Sequence, residues 1–410
     1  MKRRAFLRVG GSTAILSSVS VAGCLERLGF EEQSAWRDPP LVEDRPDAVY
    51  IPAAREEMAH YGSDSDGQYA VALSYSYPHR FWNVRDGSVS AVEVQTDDAL
   101  HLMFDVWDVE TQTTLPVDMS VDVERDGDRI ESFTPWPMLS QRMGFHYGDN
   151  VTLDGEGEYV ARVRVGPVTA RKAGGFEGRF DEASTLTIPF TYRRSDVHDL
   201  SFETIDYEER GRRGALPLMD HGDHGGHGHG DEGHGHDDHN DGNGHGHDDE
   251  TTDPGVPPLS RAPSVESLPG THLGTERTGD ADLVIVEYEN DHRTDSAETY
   301  LAVSPRTPYN EVILPLLGLS VKVSSAADDG GSEATDDEND LGGEPASTGG
   351  RTVQLRETLD ADFGHHYGAT IEQLNAGDEV TVTVESPPQV TRHDGYETAF
   401  LAFEDVTVVR

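Results

Sequence analysis

Tyr69-Ala70-Val71-Ala72-Leu73-Ser74-Tyr75-Ser76-Tyr77 is the stretch that decides the fold class. Large apolar side chains fall on alternate positions with small residues between them, the period of a β-strand rather than of a helix. The same alternation recurs at Ser88–Gln95, Leu100–Val109, Val117–Glu124, Tyr159–Val165 and Thr185–Tyr192. Turn pairs punctuate it: Asp86-Gly87, Asp97-Asp98, Asp126-Gly127 and Asp154-Gly155. Short strands at this spacing predict an all-β sandwich or barrel. Ala53–His60 is the one stretch that reads best as a helix, and it is short.

Working outward, a first ordered block spans residues 46–195 and a second spans 271–410. The second carries its own strand-like runs at Asp282–Tyr288, Thr299–Ser304, Leu316–Val323, Val380–Glu385 and Thr398–Val409. An acidic, Gly-rich insert over 325–350 lengthens a surface hairpin, at little cost in closure entropy. Between the blocks, residues 196–270 form a linker, and within it 211–265 lose all periodicity. Within that linker stand His221, His224, His227, His229, His234, His236, His239, His245 and His247, spaced by Gly, Asp and Asn. No core can form from such residues, so the tract is expected to be a disordered His/Gly/Asp-rich linker.

The chain of 410 residues carries 77 acids against 32 Lys plus Arg, a formal net charge of -45. Nucleic acid is thereby excluded as a partner, because its phosphates would be repelled. Lysine occurs only as Lys2, Lys172 and Lys322. An acid-rich, lysine-poor surface suits molar salt, where the Debye length falls to about 3 Å and self-repulsion is screened. The one cysteine, Cys24, precludes an intramolecular disulfide and a cysteine-based zinc knuckle. Lys2-Arg3-Arg4 followed by an apolar run to Val21, then Ala22-Gly23-Cys24, reads as a signal peptide over 1–23. Arg3-Arg4 resembles a twin-arginine export signal, and Val21-Ala22-Gly23-Cys24 resembles a lipobox. Cys24 would then bear lipid, residues 24–45 would form a tether, and the protein would sit at the extracytoplasmic face of the cell membrane.

The two blocks look like a duplication. Met143-Gly144-Phe145-His146-Tyr147-Gly148-Asp149-Asn150 in the first answers Phe363-Gly364-His365-His366-Tyr367-Gly368-Ala369-Thr370 in the second. Upstream, Leu115-Pro116 answers Leu314-Pro315, and counting back from each proline sets His101 against Tyr300. The Gly-x-His-Tyr-Gly-x-Asn pattern, followed by Gly157-Glu158-Tyr159 and a strand, resembles the periplasmic ferrous-iron transport proteins. More broadly, the chain resembles haloarchaeal lipoproteins with two such domains. That resemblance implies two immunoglobulin-like β-sandwiches and a site for copper or ferrous iron serving iron uptake. It implies ligands from a His-x-Glu pair, a Met, the motif His and a late His near a partner chain. Carried over, His146 is the motif His, and His101 with Met103 stands where His-x-Glu is expected. Met138 lies near the expected Met, with Met143 a competitor. The late His falls at Phe180 in the first block. In the second block His393 matches that region, His366 is the motif His, and Tyr300 and Thr358 replace the other ligands. The missing histidine would come from another protomer, in a homodimer, or from the second block through His393.

Two imidazoles and two thioethers form a soft donor set, and a Met in place of the Glu tilts it from iron toward copper. Residues 101 and 103 of one strand share a face, which suits a joint site. The histidine tract offers many imidazoles to zinc, copper or nickel, with ordering entropy opposing tight binding. No nucleophile elbow, P-loop, dinucleotide fingerprint or His-Glu-x-x-His motif occurs, so an enzyme is not expected. The sequence therefore supports a surface lipoprotein that captures copper or ferrous iron for uptake or hands it to a transporter. The competing reading is a structural or interaction module, with apolar Phe81 and Trp82 at its surface and the tract only a spacer.

Overall fold

The computed structural model describes residues 39–85, 87–219, 256–289, 298–325 and 352–410. Cys24 and its flanks, the nine histidines of the tract and most of the acidic insert lie outside the described residues.

The first half contains β1 (Ala54–Glu56), β2 (Ala59–Ser65), β3 (Tyr69–Ser76), β4 (Phe81–Arg85), β5 (Ser88–Val92), β6 (Leu100–Asp108), β7 (Met119–Arg125), β8 (Asp128–Phe133), β9 (Trp136–Ser140), β10 (Gly144–Val151), β11 (Gly157–Val165), β12 (Arg171–Lys172) and β13 (Ser184–Tyr192), then helix α1 (Arg194–Asp199) and β14 (Phe202–Thr204). The second contains β15 (Thr271–Thr278), β16 (Ala281–Tyr288), β17 (Glu298–Arg306), β18 (Gly318–Ser324), β19 (Thr352–Asp360), β20 (Gly364–Glu372), β21 (Glu379–Ser386), β22 (Thr391–Arg392) and β23 (Val406–Val409). The protein is all-β, as its alternating pattern predicts.

In the first half a sheet ordered β2-β3-β6-β10-β9-β22-β4-β5 packs on a second, β13-β11-β7-β8. Leu100, Leu102, Phe104 and Val106 of β6 enter the core between them. His101 and Met103, with the opposite parity, are buried on the other side of the sheet. The second half repeats the plan, with β19 running through both sheets: Thr352–Leu355 pairs with β18, and Arg356–Asp360 with β20. Even a bulge recurs, between His60 and Gly62 in β2 and between His272 and Gly274 in β15.

The halves exchange strands. β22 of the second half lies parallel to β9 of the first, Thr391 opposite Met138 and Arg392 opposite Leu139, and it also pairs with β4. Reciprocally, β12 of the first half lies parallel to β19 of the second, with Arg171 opposite Thr358 and Lys172 opposite Leu359. Val390, Tyr396 and Phe400 beside β22 join the first half's core at 0–1% exposure. Burial of such side chains is worth about 1.5–3 kcal/mol each, so apolar packing holds the exchanged segment.

Four expectations need correction. Ala53–His60 is not helical: β1 pairs with β14 and β2 with β3, tertiary pairing that overrides a weak local preference. The last strand is only Val406–Val409, because Thr398–Phe400 belong to the turn after β22, where Phe400 has φ 58°. The ends of the expected linker are built into the fold. β14 is a strand, Tyr50 bridges Arg213, and Arg261 bridges Val312. Phe81 and Trp82 are 0% and 6% exposed on β4, so the expected surface patch is not there.

Candidate metal centre

The His-Tyr-Gly stretch of β10 places three neighbours in three jobs. Tyr147 enters the core and its hydroxyl accepts the Val117 N–H at 2.6 Å; Tyr367 accepts Leu317 N–H at 2.9 Å in the same way. His146 faces the opposite side of the sheet. Gly148 leaves room there: a Cβ at this position would stand 2.6 Å from His101 Nε2 and 3.1 Å from Met138 Sδ. Imidazole and thioether therefore converge on one small space that only glycine keeps open.

Register brings the other donors in. Asn150 pairs with His101 across β10 and β6, and His146 pairs with Met138 across β10 and β9. His393 follows directly after β22, and its N–H donates to Leu139 O at 3.1 Å. The turn that follows is pinned on both sides, Gly395 O accepting from Tyr50 N–H at 3.1 Å and from Gln141 Nε2 at 3.2 Å. His79 arrives from the link between β3 and β4.

The result is four gathered imidazoles. The ligand atoms of His79, His101 and His393 lie within 4.8 Å of one another. Ring centroids are 4.1 Å apart for His79 and His101, 4.9 Å for His79 and His393, and 5.2 Å for His146 and His393. All four Nε2 atoms are buried and none has a hydrogen-bond partner, although the His393 side chain is partly exposed. Leaving a buried polar atom unpaired costs about 1–3 kcal/mol, so four together need a shared partner.

Three of the rings are fixed through the opposite nitrogen. His101 Nδ1 lies 2.9 Å from Asn150 Oδ1, and His146 Nδ1 lies 3.2 Å from Gly144 O. His79 Nδ1 lies 2.9 Å from Tyr77 O and 3.1 Å from Glu56 Oε2. A proton on each Nδ1 puts a lone pair on Nε2, the tautomer in which histidine binds a metal, with acceptors behind the ring to orient it. Asn150 also holds the backbone of His79, Nδ2 donating to His79 O at 3.0 Å.

Electrostatics favour neutral imidazoles. Burial drives His101 well below its ordinary pKa, helped by His79 and His146. Burial lowers His146 to about 4, with a smaller push from His79. Burial also lowers His393 strongly, and its three histidine neighbours add to that. His79 is the exception: burial alone would lower it, but the Glu56 carboxylate, the Tyr77 carbonyl and Asp394 together raise it. Beside the cluster, burial lifts the Asp394 carboxyl to about 7, with Glu397 adding to the effect. Three imidazoles held neutral, a fourth beside Glu56 and one thioether form a donor set suited to copper, and acceptable to iron or zinc. The residues fit a metal ion on three counts: unpaired buried nitrogens, a space guarded by a glycine, and donor chemistry.

Of the residues singled out in the sequence, His101, His146, His393 and Met138 are brought together. Met103 shares their face but packs with Met58, Met143 and Met219. His366 is elsewhere, its Nε2 2.9 Å from the Tyr300 hydroxyl. The position reading Phe180 as the first half's late His is corrected by geometry. Ala173 is the counterpart of His393: its N–H donates to Leu359 O at 2.9 Å as His393 donates to Leu139 O. Phe180 answers Phe400 instead, both at positive φ. Sequence reasoning missed His79, because no strand period reaches it across the bend at Pro78. The only signal was the position of His79 and Arg80 between the aromatic residues Tyr77 and Phe81-Trp82.

Residues 266–409 match a family described as a domain of unknown function, DUF7350. No curated protein matches the chain. Among solved structures, FetP of uropathogenic Escherichia coli strain F11 is similar at 18% identity, over 33% of this chain and 96% of that one, with a TM-score of 0.26. A copper-bound variant of the same FetP gives 19% identity, 33% and 93% coverage, and a TM-score of 0.28.

Proposed function

We propose that this protein binds a transition-metal ion, copper or ferrous iron, at the His79–His101–His146–His393 centre with Met138. One observation carries the reading: His79, His101 and His393 bring ligand atoms within 4.8 Å of one another, His146 stands beside His393, and all four buried Nε2 atoms have no hydrogen-bond partner. A purely structural histidine cluster would place protein acceptors there. The Met138 thioether favours copper over iron. The role is capture outside the cytoplasm for uptake, with delivery to a transporter and a lipid anchor at Cys24. Among the described residues no helix is long and apolar enough to cross a membrane.

The tract of His221 to His247 would hold zinc, copper or nickel loosely. It is tied to the fold at Met219, which lines the cavity of about 100 Å³ beside His146 and His393. Tethering raises the concentration of ions near the centre without any new contact. The test is a copper and ferrous-iron titration by calorimetry under anaerobic, high-salt conditions, on the whole chain and on His101→Ala. Loss of the tightest binding step in the variant supports the proposal; an unchanged first step defeats it.

A further inference from the structure

The cavity beside the imidazoles has a second lining that the histidine centre does not use. Met58, Met103, Met143 and Met219 form a buried cluster with 3–6% exposure, and no other apolar residue type belongs to it. The chain has seven methionines, and Met1 is the first residue, so four of the remaining six meet here. Ordinary packing does not select this composition. The three other larger clusters mix Val, Leu, Ile, Phe and Tyr, and the only methionine in them is Met119. Methionine is useful as an occasional gap-filler, but four in mutual contact give a loose, poorly specified core, so another demand has to hold them together.

The four side chains come from separate segments. Met58 precedes β2, Met103 lies in β6, Met143 sits in the turn between β9 and β10, and Met219 ends the described segment that leaves the first half. Met219 is drawn in by its backbone, whose N–H donates to Arg142 O at 2.8 Å. All four line the same cavity as His79, His146 and His393, with Glu56, Glu57 and Asp394 also on its wall. Thioethers are neutral and soft. They hold Cu(I) and its analogue Ag(I), and they discriminate against Zn²⁺ and Fe²⁺, which prefer nitrogen and oxygen. A monovalent ion also loses less hydration on burial than a divalent one, which suits a wall where Arg55, Arg80 and Arg142 stand against Glu56, Glu57 and Asp394 and leave no surplus of negative charge.

We propose that Met58, Met103, Met143 and Met219 form a thioether site for Cu(I), distinct from the imidazole centre and adjoining it. The proposal stands apart from the imidazole reading, since different residues and a different oxidation state carry it.

The test uses the full-length chain, with Cu(I) supplied anaerobically in chloride-free buffer against bicinchoninate as competitor. The comparison is with Met58→Leu/Met143→Leu/Met219→Leu, which conserves volume and so spares the fold. Cu(II) binding to both is followed in parallel by electron paramagnetic resonance. The variant is expected to lose one tight Cu(I) equivalent and to keep its Cu(II) signal. Unchanged Cu(I) stoichiometry and affinity would reduce the cluster to packing, and joint loss of both ions would make it part of one site with the imidazoles. If the triple variant fails to fold, X-ray absorption on the natural protein with one equivalent of Cu(I) decides. A shell of three or four sulfurs upholds the proposal, and a nitrogen-dominated shell overturns it. Loss of Cu(II) alone in His101→Ala, or its retention there, bears on the imidazole centre and leaves this site unaffected.

Discussion

The two halves share a strand plan, a β10-type motif and a reciprocal strand exchange, yet only one of them has an open centre. In the first, residue 101 is a histidine that reaches over Gly148 and stops, with Nε2 unpaired. In the second, the equivalent residue is Tyr300. Its hydroxyl extends to where a Cβ on Gly368 would stand, 1.9 Å away, and meets His366 Nε2 at 2.9 Å. Thr358 replaces Met138 opposite the motif histidine, and Ala173 replaces His393 at the tip of the exchanged strand. The second half has Tyr300, Thr358 and Ala173 where the first half's cluster has His101, Met138 and His393, and its motif imidazole is paired internally. The first half gathers its imidazoles and takes one from its neighbour. The two halves thus divide the work: the proposed centre sits in one, and the other supplies His393.

That contrast can be broken most forcefully at the crossing point. His393→Ala should weaken copper binding on the order of 100-fold or more, because a ligand is lost as well as the orientation it imposes. His366→Ala should leave copper affinity unchanged. Competition with a chelator of known affinity measures both, and equal losses would erase the distinction between the halves.

Asn150 supports both His101 and the His79 backbone, so Asn150→Ala should cost about 10- to 100-fold in metal affinity. Thr370 is its counterpart opposite Tyr300, and Thr370→Ala should cost nothing by the same assay.

Acid should act on the first half. His146 titrates near 4 when folded and near its ordinary value of 6.5 when unfolded. Between those values the unfolded chain binds more protons, so metal-free stability falls as pH falls through that window. The loss from His146 is about 3 kcal/mol by pH 4, and His101 and His393 add to it in the same direction. Urea unfolding at pH 7, 5.5 and 4.5 checks this; a flat stability over that range would mean these rings are not held neutral.

The smallest effect belongs to the second half. Tyr300→Phe removes the hydrogen bond to His366 and should destabilise the protein by about 1 kcal/mol with no change in copper affinity. Thermal unfolding and a copper titration on the same sample measure the two together.

Much of this was legible from residue order. Period-2 alternation in Tyr69–Tyr77 and Leu100–Val109 located β3 and β6, and a shared parity set His101 beside Met103. The duplicated Gly-x-His-Tyr-Gly string aligned His146 with His366, and counting from Pro116 and Pro315 correctly opposed His101 to Tyr300. The illegible parts are those decided by contacts between distant segments. The strand exchange hangs on β12 and β22, two residues each, too short to leave a periodic trace. His79 enters across a bend, and Ala173 was hidden because alanine carries no sign of the ligand it replaced. Ala53–His60 misled because the partner of its first strand, β14, lies about 150 residues away in sequence, and only its last two residues belong to the β2–β3 hairpin.

The central claim is that the second half completes the first half's metal centre. Thermal unfolding of the full-length protein with and without one equivalent of Cu²⁺ tests it most directly, because an ion bound to the native centre stabilises the native state by mass action. The natural chain and His366→Ala should show the same copper-induced rise in Tm, and His393→Ala should lose most of it. A rise preserved in His393→Ala would contradict the account.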